Sequence, residues 1–165
     1  LHTIGRRQRQ MCIRDRRFDY FYTEFDEDNT TFDPYENLFS LNSQSDWDRL
    51  HLVTDLIYAT GHNDVSNAGS AVVMPYYDLT EHLELVFRYT YSVAEKSDGL
   101  NVQKRYERAA AGKLTGDQYH AFYGGLNWYI CGDKLKIMNG VEYSKLDGAD
   151  ENDYWSYLSG VRMHW

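Results

Sequence analysis

The residues of this sequence best suited to chemistry are charged side chains that interrupt apolar stretches. They are Arg49, Arg88 and Arg162, with Asp55, Glu84 and Glu142 as counter-charges. A guanidinium group is planar and pairs bidentately with phosphate oxygens, so the three arginines are candidate contacts for an anion. This pattern predicts charge-based guidance of a small solute.

A second basic group lies in a polar stretch of the chain. It comprises Lys104, Arg105, Arg108 and Lys113. Such a cluster concentrates anions when it lines the mouth of a channel. The alternative interpretation is that these side chains pair with Glu107, Asp117 and neighbouring acidic loops.

No spacing of nucleophiles, bases or metal ligands predicts catalysis. The six histidines are scattered, and Cys12 and Cys131 form neither a disulfide framework nor a metal-ligand pair. The acidic runs at 26–28 and 147–153 match no EF-hand spacing, so a solvated loop is the simpler interpretation and cation binding the alternative. We therefore expect no enzymatic activity, no cofactor and no metal site.

The elements that carry these residues have a hydrophobic period of two. In LELVFRYTY, for example, Leu83, Leu85 and Phe87 alternate with Glu84 and Arg88. Alternating side chains point to opposite faces of a strand. After residue 17, this alternation predicts eight antiparallel strands, near 17–25, 36–43, 48–60, 70–78, 82–92, 118–130, 135–146 and 154–165.

The connections alternate in length. Tight turns are predicted at SQSD (44–47), DLTE (78–81) and CGDK (131–134), and longer polar loops at 26–35, 61–69, 93–117 and 147–153. A helical turn or two is predicted within 103–113. Short turns at one end and long loops at the other are typical of outer-membrane β-barrels.

Composition is compatible with two kinds of β-structure. The chain has 15 Tyr and 4 Trp, a mean hydropathy of −0.66 and a net charge of −8, which argues against binding nucleic acid. No apolar run reaches the roughly eighteen residues of a membrane helix. The alternatives are a soluble sandwich or lipocalin-like barrel and a transmembrane barrel; aromatic-ended apolar faces, alternating loop lengths and mid-strand charges favour the latter.

The stretch LNWYICGDKLKIMNGVEYSKLDG resembles the C-terminal region of the phosphate-selective porin O and P family, and the similarity extends back through VVMPYYDLTEHLELVFRYTYS and LVTDLIYATG. The resemblance implies a trimeric outer-membrane β-barrel of roughly sixteen strands through which small anions such as phosphate diffuse. It implies that the chain is the C-terminal half of such a barrel. The phosphate-selecting residues of the family lie largely in the other half, so a general porin is the safer expectation.

The last strand has apolar residues at alternate positions before a final aromatic residue. Tyr157, Val161, Met163 and Trp165 match the pattern that the barrel-assembly machinery reads in many outer-membrane proteins, with Ser159 as the exception. The simpler interpretation is that these side chains only face lipid. The two interpretations are compatible, because an edge strand that faces lipid also exposes its backbone for pairing with an assembly factor.

Residues 1–17 have a different character from the remainder. They contain six arginines without a regular period, and RRQRQMCIRDR resembles a translated sequencing-adapter remnant. We therefore interpret 1–17 as a disordered or artefactual segment and 18–165 as a partial barrel. The alternative function is a complete eight-stranded, non-pore barrel that binds or adheres through its long loops.

Overall fold

The computed structural model describes residues 13–22, 35–62, 64–101, 114–130 and 134–163. These ranges form ten strands and no helix, and therefore contain no helix long and apolar enough to cross a membrane. The strands are β1 (Ile13–Tyr22), β2 (Tyr35–Trp47), β3 (Leu50–Gly61), β4 (Ala68–Asp78), β5 (Leu83–Ala94), β6 (Leu100–Asn101), β7 (Thr115–Gly116), β8 (Gln118–Tyr129), β9 (Leu135–Asp147) and β10 (Asn152–Met163).

Eight of the strands form one antiparallel sheet in the order β1-β2-β3-β4-β5-β8-β9-β10. Strands β6 and β7 form a separate two-stranded ladder within the connection from β5 to β8. The predicted all-β, up-and-down fold of eight antiparallel strands is confirmed. Among the described strands, β1 and β10 lie at the two ends of the sheet, and each pairs with a single neighbour.

The first strand begins earlier in the chain than the alternation predicted. Strand β1 starts at Ile13 rather than near residue 17, and the main chain from Ile13 to Arg17 pairs with β2. Part of the segment interpreted as separate from the β-structure is thus backbone-paired with the sheet. The pairing is irregular there, with a register shift between Ile13 and Asp15.

The first hairpin turn lies further along the chain than predicted. Strand β2 continues through 44–47 to Trp47, which pairs with Leu50, so the predicted turn at SQSD is wrong. The turn is Asp48–Arg49, and Asp48 has a φ of 50°, in the left-handed region that two-residue hairpin turns require. Arg49 consequently lies in the turn and not in mid-strand, which corrects its predicted position.

The two faces of the sheet differ in chemistry and in exposure. We call the face that carries Glu84, Arg88 and Glu142 the polar face, and the one that carries Phe87, Phe122 and Val141 the apolar face. Glu84 and Glu142 are only 9% and 7% exposed, whereas Phe122 is 53% exposed. This difference indicates that the sheet curls towards its polar face, which crowds the side chains there.

The connection lengths alternate along the sheet, as predicted. At one end, the turns at Asp48–Arg49 and 79–82 are tight, and strands β8 and β9 are close in sequence. At the other end, β3 and β4, β5 and β8, and β9 and β10 are joined by longer connections. We call these the turn end and the loop end of the sheet. The predicted helical turn in 103–113 lies outside the described residues.

Candidate functional site

The centre of the polar face is a row of three side chains on three adjacent strands. Arg88 of β5 lies opposite Tyr123 of β8, and Tyr123 lies opposite Glu142 of β9. The guanidinium group of Arg88 lies 5.3 Å from the centre of the Tyr123 ring and reaches past it to form an ion pair with Glu142. The row therefore places a cation–π contact and a charge-assisted hydrogen bond on one side of the sheet.

Two glycines make room for the aromatic ring in this row. Gly125 and Gly140 pair with each other across β8 and β9, and a Cβ atom at either position would lie within 2.4 Å of the Tyr123 hydroxyl oxygen. No side chain tolerates so close an approach without movement. The two glycines thus form a slot that fixes the ring of Tyr123 against the sheet and holds it beneath Arg88.

A second polar cluster lies on the same face, nearer the turn end. The Asn127 amide donates a hydrogen bond to the Glu84 carboxylate at 2.5 Å, and the Tyr129 hydroxyl donates to the same carboxylate at 3.3 Å. The Lys136 ammonium donates to the Tyr129 oxygen at 2.9 Å and lies 3.6 Å from Glu84. Glu84 is thereby held by two neutral donors and one cation, which offsets the cost of its burial.

A third cluster joins β2, β3 and β4 at the turn end. One ring nitrogen of His51 lies 2.6 Å from Asp46, and the other lies 3.3 Å from Asp78. The imidazole stacks on Tyr76 with ring centres 4.7 Å apart, and the Gln44 amide donates to the Tyr76 hydroxyl at 3.3 Å. The arrangement fixes two carboxylates on either side of one imidazole ring.

The described parts of the connection between β5 and β8 contact the polar face at the loop end. Leu100 of β6 and Leu114 pack, together with Tyr154, on a buried cluster of Tyr119, Ala121 and Leu146. We call these six residues the loop-end cluster. A cavity of about 230 Å³ opens beside it, lined by Ser70, Thr90, Ser92, Leu100, Asn101 and Tyr119. The polar face is therefore covered at its loop end and lined with charged groups nearer the turn end.

The apolar face carries its aromatic residues near both ends. Trp47, Tyr77 and Trp128 lie near the turn end, and Tyr58, Tyr91, Tyr143 and Trp155 lie nearer the loop end. Between them the face is mainly aliphatic or Phe, as at Leu85, Phe87 and Val141. All of the large side chains on this face of β10 are strongly exposed, with Trp155 at 74% and Met163 at 67%.

The predicted anion contacts lie in different surroundings. Arg49 lies in the first turn, where its guanidinium donates to the Leu79 carbonyl oxygen at 3.2 Å and lies 6.0 Å from the centre of the Tyr77 ring. Arg88 is paired with Glu142. Arg162 lies on the polar face of β10 opposite Lys136 and is exposed. The structure thus separates these three arginines instead of bringing them together.

Other predicted residues lie on the apolar face or outside the described ranges. Tyr157, Val161 and Met163 share the exposed apolar face of β10. Lys104, Arg105, Arg108 and Trp165 lie outside the described residues, so their roles stay predictions. Asp55 lies on the polar face, where its carboxylate accepts a hydrogen bond from the Asn42 amide.

Sequence reasoning missed the neutral partners of the charged groups. Tyr123, Asn127 and Tyr129 occupy alternate positions of β8 and share the parity of the less apolar side of that strand. The sequence pattern is enough to predict that these three side chains share a face. It does not predict which residue of a neighbouring strand each one lies opposite, because the register depends on the whole sheet.

Comparisons of the chain with protein-family models, with curated proteins and with solved structures gave no match. The site's chemistry is therefore inferred from its own residues. Within the described ranges, no group of three or more His, Cys, Asp and Glu side chains is arranged to hold a metal ion.

Proposed function

We propose that the eight-stranded sheet forms part of the wall of a transmembrane β-barrel in a bacterial outer membrane, through which small hydrophilic solutes diffuse. The observation that carries this proposal is the distribution of burial on the two faces. Phe122, Trp155 and Met163 are more than half exposed, whereas Glu84, Asn127 and Glu142 are buried. A soluble β-barrel needs the opposite arrangement, because water does not stabilise a continuous exposed apolar face.

Strand length supports the same proposal. Seven of the strands in the large sheet have 11 to 13 residues, and β1 has 10. A tilted strand of about ten residues crosses the hydrocarbon layer of a membrane. Aromatic residues near both ends of the apolar face fit the two interfaces, where their rings are amphipathic enough to lie among lipid headgroups.

The sheet as described has two edges, and lipid does not tolerate unpaired strand edges because their backbone groups have no hydrogen-bonding partner there. We therefore propose that further strands close the wall, as the resemblance to the porin O and P family implies. The same proposal has three further parts. The protein forms a trimer, its apolar face contacts outer-membrane lipid, and the barrel-assembly machinery recognises Tyr157, Val161 and Met163.

The polar face supplies what passive diffusion requires. A water-filled passage needs no reacting group, only a wall of polar side chains whose charges tune which solutes enter. Two ion pairs lie along that wall, Arg88 with Glu142 and Lys136 with Glu84. The neutral amide of Asn127 also donates to Glu84, so the positions of these charges are fixed. At the loop end, Leu100 and Leu114 of the connection between β5 and β8 cover part of the polar face.

Reconstitution tests the proposal directly. The full-length protein, including the strands proposed to close the wall, is refolded into detergent and then added to planar lipid bilayers, and its migration on gels is compared with and without heating. Stepwise conductance and heat-dependent migration support a channel wall. A chain that folds as a soluble monomer without detergent contradicts it.

The ordered loop end favours a second candidate function, in which a complete barrel binds a partner through its loops. The Lys96 ammonium donates to the Asp64 carbonyl oxygen at 2.6 Å, and the Asn67 amide donates to Glu95 at 3.0 Å. The Ala149 amide donates to the Ser97 carbonyl oxygen, which joins a third loop. Membrane insertion without any conductance in the bilayer experiment favours this candidate.

A further inference from the structure

The charge on the polar face is unbalanced. Between Leu38 and Arg162, the described strands place five carboxylates and three Lys or Arg side chains on this face: Asp46, Asp55, Asp78, Glu84 and Glu142, with Arg88, Lys136 and Arg162. His51 contacts Asp46 and Asp78 through its two ring nitrogens, and it can donate to both carboxylates only as an imidazolium, so it adds at most one positive charge to this face. Strand β1 adds Arg17 and Asp19 to the same face, and these two side chains pair with each other at 2.8 Å. The described face as a whole therefore carries a net negative charge.

Two of the three basic side chains are already neutralised. Arg88 forms its ion pair with Glu142, and Lys136 lies 3.6 Å from Glu84. Both carboxylates are largely buried, so these pairs are screened less by salt than surface pairs are. A phosphate that bound Arg88 would have to displace Glu142 from a guanidinium that also lies against the Tyr123 ring.

The remaining three carboxylates are gathered on one sector of the wall. Asp46, Asp55 and Asp78 belong to β2, β3 and β4, and between Leu38 and Asp78 these strands place neither lysine nor arginine on the polar face. The hydrogen bond to Asp55 comes from the neutral amide of Asn42. The third basic residue, Arg162, lies on β10, at the far side of the sheet order. Even when His51 is counted as an imidazolium between Asp46 and Asp78, the three carboxylates leave the sector with a net negative charge.

The described part of the loop end has the same sign. Acidic residues outnumber basic ones there. The basic residues are Lys96 and Lys145, and the acidic residues include Asp64, Glu95, Asp98, Asp117, Asp147, Asp150, Glu151 and Asp153. Lys145 lies 2.5 Å from Asp147 and 3.5 Å from Glu151. The described acidic residues of the loop end, above an acidic wall, raise the local concentration of cations and repel anions, because low-dielectric walls focus the field into the passage.

From these observations we infer that the passage favours small cations over phosphate and other anions, with Asp46, Asp55 and Asp78 as the carboxylates that determine this preference. The inference rests on the proposed channel function and names its solute class. Fixed carboxylates on the wall of a passage attract cations and repel anions, as rings of acidic side chains do in cation channels. The anion preference predicted for Arg88 and Arg162 is thereby replaced by a proposal of the opposite sign.

Ion selectivity of the same full-length protein in planar bilayers tests the inference. Under a potassium chloride gradient, the zero-current potential should correspond to a potassium-to-chloride permeability ratio above one, and replacing chloride with phosphate should not reverse it. In the triple variant Asp46→Asn, Asp55→Asn and Asp78→Asn the ratio should fall at least ~2-fold towards unity. Glu81→Gln, which removes one carboxylate from the turn between β4 and β5, is the control and should leave the ratio nearly unchanged.

The possible results separate the two proposals. A wild-type ratio below one overturns the cation preference while leaving the channel intact, and this measurement needs no variant. A ratio above one that the triple variant leaves unaltered, although its gel migration shows that it has folded, also overturns the assignment to these carboxylates. Absence of any conductance overturns the channel itself.

Discussion

Arg88 and Glu142 form an ion pair across an intervening strand, although 54 residues separate them in the chain. Tyr123 occupies the position between them, and its ring supports the guanidinium from below. Gly125 and Gly140 leave the slot in which that ring lies. One positive charge on the polar face is thus neutralised by a contact that spans three strands.

Removal of the carboxylate from this pair should release the arginine towards the passage. In Glu142→Gln the amide keeps the shape of the side chain but loses its charge, so we expect the potassium-to-chloride permeability ratio to fall by roughly twofold. Zero-current potentials of the reconstituted protein measure it. In the double variant Arg88→Ala with Glu142→Gln the ratio should return towards the wild-type value. Equal ratios in the single and double variants would rule out a released Arg88 as the cause.

The slot beneath Tyr123 should not accept a methyl group. In Gly140→Ala the new Cβ atom would lie 2.4 Å from the Tyr123 hydroxyl oxygen, so we expect a loss of about 1–3 kcal/mol in the free energy of unfolding. Urea unfolding of the lipid-refolded protein provides the measurement. Gly124→Ala is the matched control, because its Cβ atom would meet Phe87 at an ordinary 3.7 Å. A second variant, Gly140→Ala with Tyr123→Ala, should recover part of the loss; if it does not, the ring is not the cause.

A lysine should be tolerated differently on the two faces if the apolar face meets lipid. Val141 is 49% exposed, and we expect Val141→Lys to cost about 2–4 kcal/mol in a bilayer, because a charge there faces hydrocarbon. Leu158, on the polar face of β10 and opposite Gly140, is the matched site, and Leu158→Lys should cost less because water solvates its ammonium group. Unfolding in lipid vesicles compares the two. A soluble fold predicts the reverse order, since Val141 would then be the surface position.

The loop-end cluster should depend on its most buried member. Leu146 is 1% exposed, so Leu146→Ala should leave a cavity and cost about 2–4 kcal/mol. The connection between β5 and β8 should also become more accessible, which limited proteolysis of the folded protein detects as faster cleavage. Leu126→Ala, at an exposed position of the apolar face, is the control for loss of the same side chain. Similar cleavage rates in both variants would separate this connection from the cluster.

Hydrophobic alternation was sufficient to predict most of the sheet. In β5 the apolar set Leu83, Leu85 and Phe87 and the polar set Glu84 and Arg88 fell on the predicted faces, because a strand has a fixed period of two. The first turn was predicted wrongly because residues 42–46 are all polar and have turn composition, but the strand continues through them to Trp47. Trp47 pairs with Leu50, so that both apolar side chains lie on one face of the sheet, and this pairing places the turn at Asp48–Arg49.

By itself, then, the sequence determined the number of long strands, their order and the chemistry of each face, since these depend on local alternation and on short connections. Tertiary structure alone decided which charges meet. Arg88 reaches Glu142, and Lys136 approaches Glu84, only after the register of β5, β8 and β9 is set. A register shift of one residue would move every side chain of a strand to the other face, so these contacts depend on the pairing of the whole sheet. The direction of curling likewise arises only when the strands twist and pack together.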